Sequence, residues 1–414
     1  PAQSLDGKAN VFSFSAGVSS RPLKNLTLQA RVRRYDLDNK TPRLEFREGY
    51  VRFDAVWEKI PRISVPYGYT TDQAQLSAAY DFGKVSVEGG FKHDKFDRTF
   101  RETEATTQNL GYLHATLRPL DWVLVRGTFE TGTRAFQHLE RELSEEASFL
   151  TAGAPANLLA VPSGTLQTDG QPLCPAGKTC NLRYDQAVKD TTRFGGTLQL
   201  TPGGKATVAV SYLYGKDDYK DTSYGLLSSE SNVLSADFDY SPGERWNLYA
   251  FYNREDLKNA QRGRQSGATV SKNRLDDWTS DVEDKVDTVG GGGNFNLVKD
   301  KADLRLMGSY QKVDGNNAIA APVGGVPEIA RRAVGGVAGI PLYDDTKLFT
   351  LKAEVEAKAT KSLKLAVGGL YEKYEIKDSN TVGLVNYVPG SFFLAAVDGD
   401  YEAKVVYFRA SYVW

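Results

Sequence analysis

No stretch of about 18 apolar residues occurs in the 414-residue chain, so no helix crosses a bilayer. A surplus of one charge sign is missing too. Lys and Arg number 51 against 52 Asp and Glu, and a net charge of -1 gives no support to nucleic acid as a partner. Methionine occurs once and histidine 3 times. His93, His114 and His138 are scattered along the chain, and His114 reads as an ordinary residue of a wet face. No CxxCH occurs, which excludes covalent attachment of a c-type haem to this chain. No catalytic triad or paired acid–base constellation is present, so no enzyme activity is expected. The run Gly290–Gly293 lacks the Lys-Ser/Thr of a phosphate loop and continues a strand pattern, where Gly allows close packing or a bend. The acidic pieces DLDN at 36–39 and DGD at 398–400 lack a complete calcium ligand series. The chain begins at Pro1 with neither Met nor leader, as a mature or trimmed chain does. Only two cysteines occur, Cys174 and Cys180, within PLCPAGKTCN. So close a pair suits a small disulfide loop in an oxidising compartment; two free thiols are the alternative.

What is present favours strands and turns. Aromatics make up 11%, with 22 Tyr and 19 Phe, beside 39 Gly. The apolar periodicity is two, not 3.6. In ATVAVSYLYG, Val208, Val210, Tyr212 and Tyr214 share one face; in RWNLYAFYN, Trp246, Leu248, Ala250 and Tyr252 do. The same alternation flanks short turns at SSRPLKN, Gly83-Lys84, RPLDW, TPGGK, SPGER, VKDK and ATKS, giving seven tight hairpins. The segments between hairpins are expected to be long and polar, the longest from about Gly132 to Asp190.

Short turns at one end and long loops at the other predict an all-β fold, a transmembrane antiparallel β-barrel with short periplasmic turns and long extracellular loops. A water-soluble sandwich or solenoid is the alternative. Residues 1–414 are expected to form a single domain in the bacterial outer membrane, in contact with lipid and lipopolysaccharide. The second face of the strands carries Arg31, Arg33, Glu88, Arg126, Glu130, Arg193, Asp237, Arg305, Lys352, Glu354 and Glu356, which are expected to face a wet lumen. The apolar face is nearly free of charge, and it is expected to meet lipid. Aromatics near the short turns (Phe82, Trp122, Tyr240, Trp246, Phe295) and near the loops (Tyr35, Tyr214, Tyr252, Tyr310, Tyr371) suggest two interfacial girdles.

The chain stops in the middle of an alternating pattern, YEAKVVYFRASYVW. Val406, Phe408, Ala410, Tyr412 and Trp414 share a face. Bacterial outer-membrane barrels commonly end so, and their assembly machinery reads that last strand. Fifteen strands are legible, whereas single-chain bacterial barrels have an even number, so at least 16 are expected. The missing strand is sought in residues 1–10, in a longer native N-terminus, or in LEFREGYVRFDAVW at 44–57.

From about residue 25 onward the chain resembles the MtrB/PioB family of decahaem-cytochrome-associated outer-membrane barrels. The resemblance rests on NLTLQARVRRYDLDNKTP, YGYTTDQAQLSAAYDF, GKDDYKDTSYGLLSSESN, SPGERWNLYAFYNRE, DDWTSDVEDKVDTVGGGG and GGLYEKYEIKDS in that order. It implies a sheath around a periplasmic multihaem c-type cytochrome, with electrons passing to or from an outer-surface cytochrome or a mineral. Haem would belong to that partner, with no cofactor on this chain. The chain is shorter than the larger family members, and it lacks a CxxC near the start. A general diffusion porin for small solutes or ions is the competing function. A porin folds a loop into its lumen and often segregates charge there. The apolar segment at 318–342 is a candidate for such a loop, while the charges of the wet face read as dispersed and mixed.

Overall fold

The computed structural model describes residues 5–46, 50–52, 56–58, 62–139, 165–174, 179–264, 271–320, 342–378 and 399–412. In chain order the strands are β1 (Ala9–Leu23), β2 (Leu26–Asn39), β3 (Glu45–Phe46), β4 (Tyr50–Arg52), β5 (Val56–Glu58), β6 (Arg62–Ile63), β7 (Tyr69–Asp81), β8 (Val85–Arg98), β9 (Thr103–Leu120) and β10 (Val123–Leu139). They continue with β11 (Thr179–Asn181), β12 (Lys189–Leu200), β13 (Ala206–Tyr219), β14 (Thr222–Gly243), β15 (Trp246–Arg264), β16 (Asp277–Val298), β17 (Ala302–Ala320), β18 (Leu342–Lys358), β19 (Leu363–Asp378) and β20 (Tyr401–Tyr412).

One 16-stranded sheet dominates. Setting aside the three-residue β11, which pairs in parallel with β14, the other 15 strands follow one another as an antiparallel meander. Consecutive strands pair because each hairpin turn leaves no room for anything else. At the β7–β8 turn Gly83 has φ +90°, and its N–H donates to the Asp81 carboxylate at 2.7 Å. A left-handed residue of this kind is what a tight reversal requires, and Gly adopts it without steric cost. All seven hairpins expected at this rim form.

The opposite rim is less uniform than the sequence suggested. Its connections at 40–68, 140–188, 265–276, 321–341 and 379–400 are long, but β8–β9 is joined by residues 99–102 and β13–β14 by 220–221. In GKDDYKDTSYGLLSSESN the polar composition belongs to strand rather than loop. β14 and β16 each run 22 residues, about twice what a tilted strand needs to cross the hydrocarbon. The surplus lies at this rim, where water on both faces removes the apolar alternation.

Among its described residues the 44–57 segment forms no further spanning strand. Its short strands pair only with neighbours, β3 with β6 and β4 with β5. Among the described residues no ladder joins β1 to β20, and with 15 spanning strands these two edges run in the same direction. Trp414, and the 318–342 segment apart from its ends, lie outside the described residues.

Cross-strand register turns the periodicity into two walls. Val18 stands opposite Ala30, Ala30 opposite Leu76, and Leu76 opposite Phe91. At the other edge Leu351 faces Tyr371, and Val355 faces Val367, which faces Phe408. Because side chains alternate strictly, a slip of one residue would mix the walls. The apolar wall remains exposed in the isolated chain: Leu76 is 59% exposed, Val367 55% and Phe408 66%. An apolar surface of this extent needs lipid against it. Arginine at Leu248 or Val367 should therefore block assembly, at a cost of about 2–4 kcal/mol near the midplane. Arg126→Ala, on the opposite wall, should assemble normally. Heat-modifiable migration of refolded protein on gels checks both; equal tolerance would mean that the walls are misassigned.

Candidate functional site

All the residues expected to face the lumen fall on one wall. Register places Arg31 with Gln75 and Lys92, Glu130 with Arg193, and Arg305 with Glu354. Glu88, Arg126, Arg33, Asp237, Lys352 and Glu356 share that parity.

Several of these charges form a ladder across the strands. Glu130 accepts hydrogen bonds from Lys92 and Arg193, each at 2.8 Å. Asp217 accepts from Lys189 and from the Thr191 hydroxyl, each at 2.6 Å, and Arg193 comes within 3.9 Å of it. A second network ties the last strands together. Glu354 accepts from the Tyr407 hydroxyl at 2.7 Å, Arg409 at 3.0 Å and Arg305 at 3.4 Å. Glu356 accepts from Arg409 at 2.9 Å and Lys364 at 3.2 Å. Among the described residues Arg31, Arg33, Arg126 and Asp237 have no ion-pair partner within 4.0 Å. With Asp239, Glu255 and Asp284, which also lack one, they are among the charges of this wall left for something else to meet.

Glycine shapes this wall. A Cβ on Gly368 would overlap the ring of Tyr407, which lies across it from β20 and reaches Glu354 on β18. On the same wall, among the earlier strands, a Cβ on Gly90 would overlap Tyr112, which donates to Glu88 at 3.2 Å and accepts from Gln75 at 2.8 Å. The Gly290–Gly293 run has the same use. A Cβ on Gly290 would sit 2.5 Å from the Phe251 ring, and one on Gly292 would sit 2.7 Å from the Tyr249 hydroxyl. Each ring covers a gap in the neighbouring strand, so side chains across three strands lock together.

The charges are not dispersed, as the sequence suggested. From β2 to β12 this wall carries Arg31, Arg33, Lys92, Arg98, Arg126, Arg134, Lys189 and Arg193, with Asp81, Glu88, Asp94, Glu104 and Glu130 among the acids along the strands. From β13 to β16 it carries Asp217, Asp237, Asp239, Glu255 and Asp284, and no Lys or Arg. From β17 to β20 the signs mix again. Linear charge counts hid this sectoring because opposite signs on alternate faces cancel. Tyr35 also moves: it shares parity with Arg31 and Arg33 and stacks on Tyr69, 5.6 Å between centroids, and so faces the charged side rather than the girdle.

Part of the long β10–β12 connection folds back as a strap. At one end Gln167 accepts from Arg264 at 2.7 Å, and the Thr168 N–H donates to the Lys272 carbonyl at 3.0 Å. In the middle, β11 pairs with β14, and Thr179 donates to the Asp221 carbonyl from both its N–H and its hydroxyl. At the far end Asp185 meets Arg101 at 2.7 Å, Gln186 bridges Glu102 and Thr103, and Arg134 donates to the Ala187 carbonyl at 2.9 Å. Leu182 and Ala187 pack with Phe136, Leu139 and Tyr219. Arg98, Arg134, Phe136 and Tyr219 belong to the charged wall, so residues 182–187 of the strap lie over that wall at the long-connection rim, while Arg264, which holds Gln167, has the parity of the other wall. Cys174 and Cys180 are joined, with Cα atoms 5.0 Å apart, and are only 1% and 2% exposed. The pair lies in the long connection between β10 and β12, within the strap.

The strap is anchored at Asp277, near the far end of β16. Burial would raise its carboxyl, but hydrogen bonds from Arg264 and Arg262, both at 2.5 Å, outweigh that and hold it below the ordinary range. Among the described residues no group of three or more His, Cys, Asp or Glu is placed to hold a metal.

These features define a bacterial outer-membrane β-barrel, apolar toward lipid and charged on its other wall. The chain belongs to the MtrB/PioB family: the family model described as "Putative outer membrane beta-barrel porin, MtrB/PioB" matches residues 1–414. Outer membrane protein MtrB of Shewanella baltica is 23% identical over 419 residues, covering 100% of this chain and 52% of that protein. The chain thus spans about half the length of that curated relative. Among solved structures, the FrpB iron transporter from Neisseria meningitidis aligns at 11% identity and a TM-score of 0.42, over 90% of this chain and 61% of that one. The outer membrane transporter YddB from Escherichia coli aligns at 10% identity and 0.40, over 90% and 55%. At those scores neither structural likeness enters the assignment.

Two outcomes are expected here. Gly368→Ala should destabilise the barrel by about 1–3 kcal/mol through overlap with Tyr407, whereas Gly369→Ala, whose nearest neighbour is Val405 O at 3.7 Å, should be near neutral in chemical denaturation. For the strap, a depressed carboxyl makes the Asp277 contribution complete above about pH 3.9 and lost as the pH falls through the lower folded value. The protection factors of amides 179–188 (the intrinsic exchange rate at each pH divided by the observed rate) should therefore be equal at pH 7 and 5 and fall only near pH 3. In Asp277→Asn they should be low at pH 7.

Proposed function

We propose that the barrel is a sheath for an elongated protein partner, a multihaem c-type cytochrome, and does no chemistry itself. Membership of the MtrB/PioB family carries this proposal. The charged wall supports it, taken as the lumen lining. Its sectors, cationic over β2–β12 and acidic over β13–β16, would fix the rotation of a partner with complementary sectors. The unpaired Arg31, Arg33, Arg126 and Asp237 are among the groups such a partner would meet. Each desolvated pair would contribute little net, so affinity would come from many contacts over a large area. Haem would be the partner's, because this chain has no CxxCH. An insulating wall would keep lipid and bulk ions from the electron path, toward an outer-surface cytochrome or another acceptor.

A second function, diffusion of small ions, has two observations in its favour. The charge is sectored, as in channels that select by electrostatics, and the 182–187 end of the strap lies over the charged wall. The two functions separate in liposomes that enclose a redox dye. Barrel and co-expressed periplasmic cytochrome together should pass electrons to an external acceptor, and neither alone should. Ion conductance at porin rates by the barrel alone, with no haem protein co-purifying, would replace the sheath by the channel.

A further inference from the structure

Two arginines stand side by side on the charged wall with no acid facing them. Arg31 and Arg33 lie two residues apart on β2, about 7 Å along the strand, and both are exposed. Register sets Gly17 and Gln75 on either side of Arg31, and Ser15 and Gln73 on either side of Arg33. The diagonal positions add Ser13, Ser19, Thr71 and Ser77. β1 contains no acid at all. The acids of β7 are engaged elsewhere: Asp72 meets Arg34 on the other wall at 3.3 Å, and Asp81 holds the β7–β8 turn. Asp94 is two strands away on β8, with Gln73 between it and Arg33.

For other cations of this wall the fold supplies the counter-ion itself. Lys92 and Arg193 share Glu130, and Arg305 and Arg409 share Glu354. Around Arg31 and Arg33 it supplies hydroxyls, amides and space. A hollow of about 230 Å³ is lined by Arg31, Arg33, Gln73, Gln75, Lys92 and Asp94. A second, of about 360 Å³, lies between Arg31 and the small residues Ser15, Gly17 and Ser19 of β1. The groups that line both are rich in donors, since a guanidinium offers a planar fork of N–H groups, and amides and hydroxyls donate as well. Gln75 gives one N–H to the Tyr112 hydroxyl at 2.8 Å and keeps the other. Such a set calls for a ligand with negative charge and acceptor oxygens, and the planar fork of an arginine matches the two oxygens of a carboxylate.

We propose that Arg31 and Arg33 form a carboxylate-binding site, completed by Gln73, Gln75 and the serines of β1, and that the carboxylate belongs to the protein in the lumen. The choice of a protein as its source rests on the sheath function proposed above. A protein surface presents carboxylates as Asp and Glu side chains, and a haem protein presents them also as propionates at the porphyrin edge. Binding here breaks no ion pair within the wall, which sets this site apart from Lys92 or Arg305. A charge-assisted contact at one fixed point of the cationic sector sets the rotation of the partner as well as holding it.

The test uses the full chain purified in mild detergent with its co-expressed periplasmic cytochrome. Haem absorbance per barrel measures how much cytochrome is retained. In R31Q/R33Q that ratio should fall about tenfold or more, because truncating charged hydrogen-bond partners at an interface speeds dissociation. Lys361→Gln, in the β18–β19 turn, should keep the wild-type ratio. Arg31→Lys gives a second measurement. A water-soluble carbodiimide should couple the introduced amine to a carboxylate of the cytochrome, and mass spectrometry of the joined peptide separates Asp or Glu from a haem propionate. An equal ratio in wild type and R31Q/R33Q overturns the site and leaves the sheath standing. Coupling only to a carboxylate of this chain, or no coupling, does the same. Wild type that retains no cytochrome overturns the sheath, and the partner carboxylate with it. If R31Q/R33Q does not assemble, the cross-link decides.

Discussion

Every backbone N–H and C=O that enters hydrocarbon must find a partner inside the protein, because no water is there to supply one. For this chain, which has no long apolar helix, the demand leaves one solution, an extended antiparallel ladder whose strands satisfy each other. The rest depends on that ladder. Its two-residue repeat separates the walls, its register decides which charges meet, and its tight turns force sequential neighbours together. The constraint also acts in reverse. Where β14 and β16 leave the lipid, both faces are wet, the apolar alternation ends, and the strands continue on hydrogen bonding and ion pairs such as Lys258–Glu283 and Arg254–Asp287.

That boundary explains what could be read from the chain. Val208 to Tyr214 and Trp246 to Tyr252 announce themselves because lipid on one side and water on the other impose opposite demands on successive residues. Seven hairpins and both walls follow from such stretches alone. The 220–221 turn was missed because it lies beyond the lipid belt, and nothing in KDDYKDTS distinguishes a strand without apolar alternation from a loop. The strap was missed for a different reason. Its contacts join residues far apart in sequence, such as Arg98 with the Asp185 carbonyl at 3.0 Å and Glu102 with Arg183 at 2.9 Å, and no local period encodes them. Cys174 and Cys180 were a hint that this segment is ordered, but a disulfide says nothing of where its loop packs.

The charged wall lay between these cases. Which residues belong to it was legible from alternation, down to Glu354 and Glu356. Their grouping was not, because it depends on strands that are distant in sequence. Arg193 and Asp217 reach each other only once β10, β12 and β13 are laid side by side. Glycine shows the same limit. The Gly290–Gly293 run signalled close packing, but only the register shows that the rings of Phe251 and Tyr249 and the backbone carbonyls of Leu306 and Gly308 occupy the space.

The pairing of these charges bears on how the wall can serve a partner. An ion pair already formed within the wall, such as Lys92–Glu130, would have to be broken before either group could bind anything else, and desolvating a single member is costly. Recognition therefore falls to the charges left over. These are not spread evenly: Arg31, Arg33 and Arg126 lie in the cationic sector and Asp237 in the acidic one. A small ion passing through would meet two oppositely charged flanks, and a rod-like protein would meet the same flanks as an orienting field. The wall's electrostatics alone are compatible with both, so the distinction lies in area. An ion needs only a few of these groups at one height. A protein partner would draw on rows of them along the strands, and Arg31, Arg33 and Arg126 fall on strands as far apart as β2 and β10 rather than in one constriction.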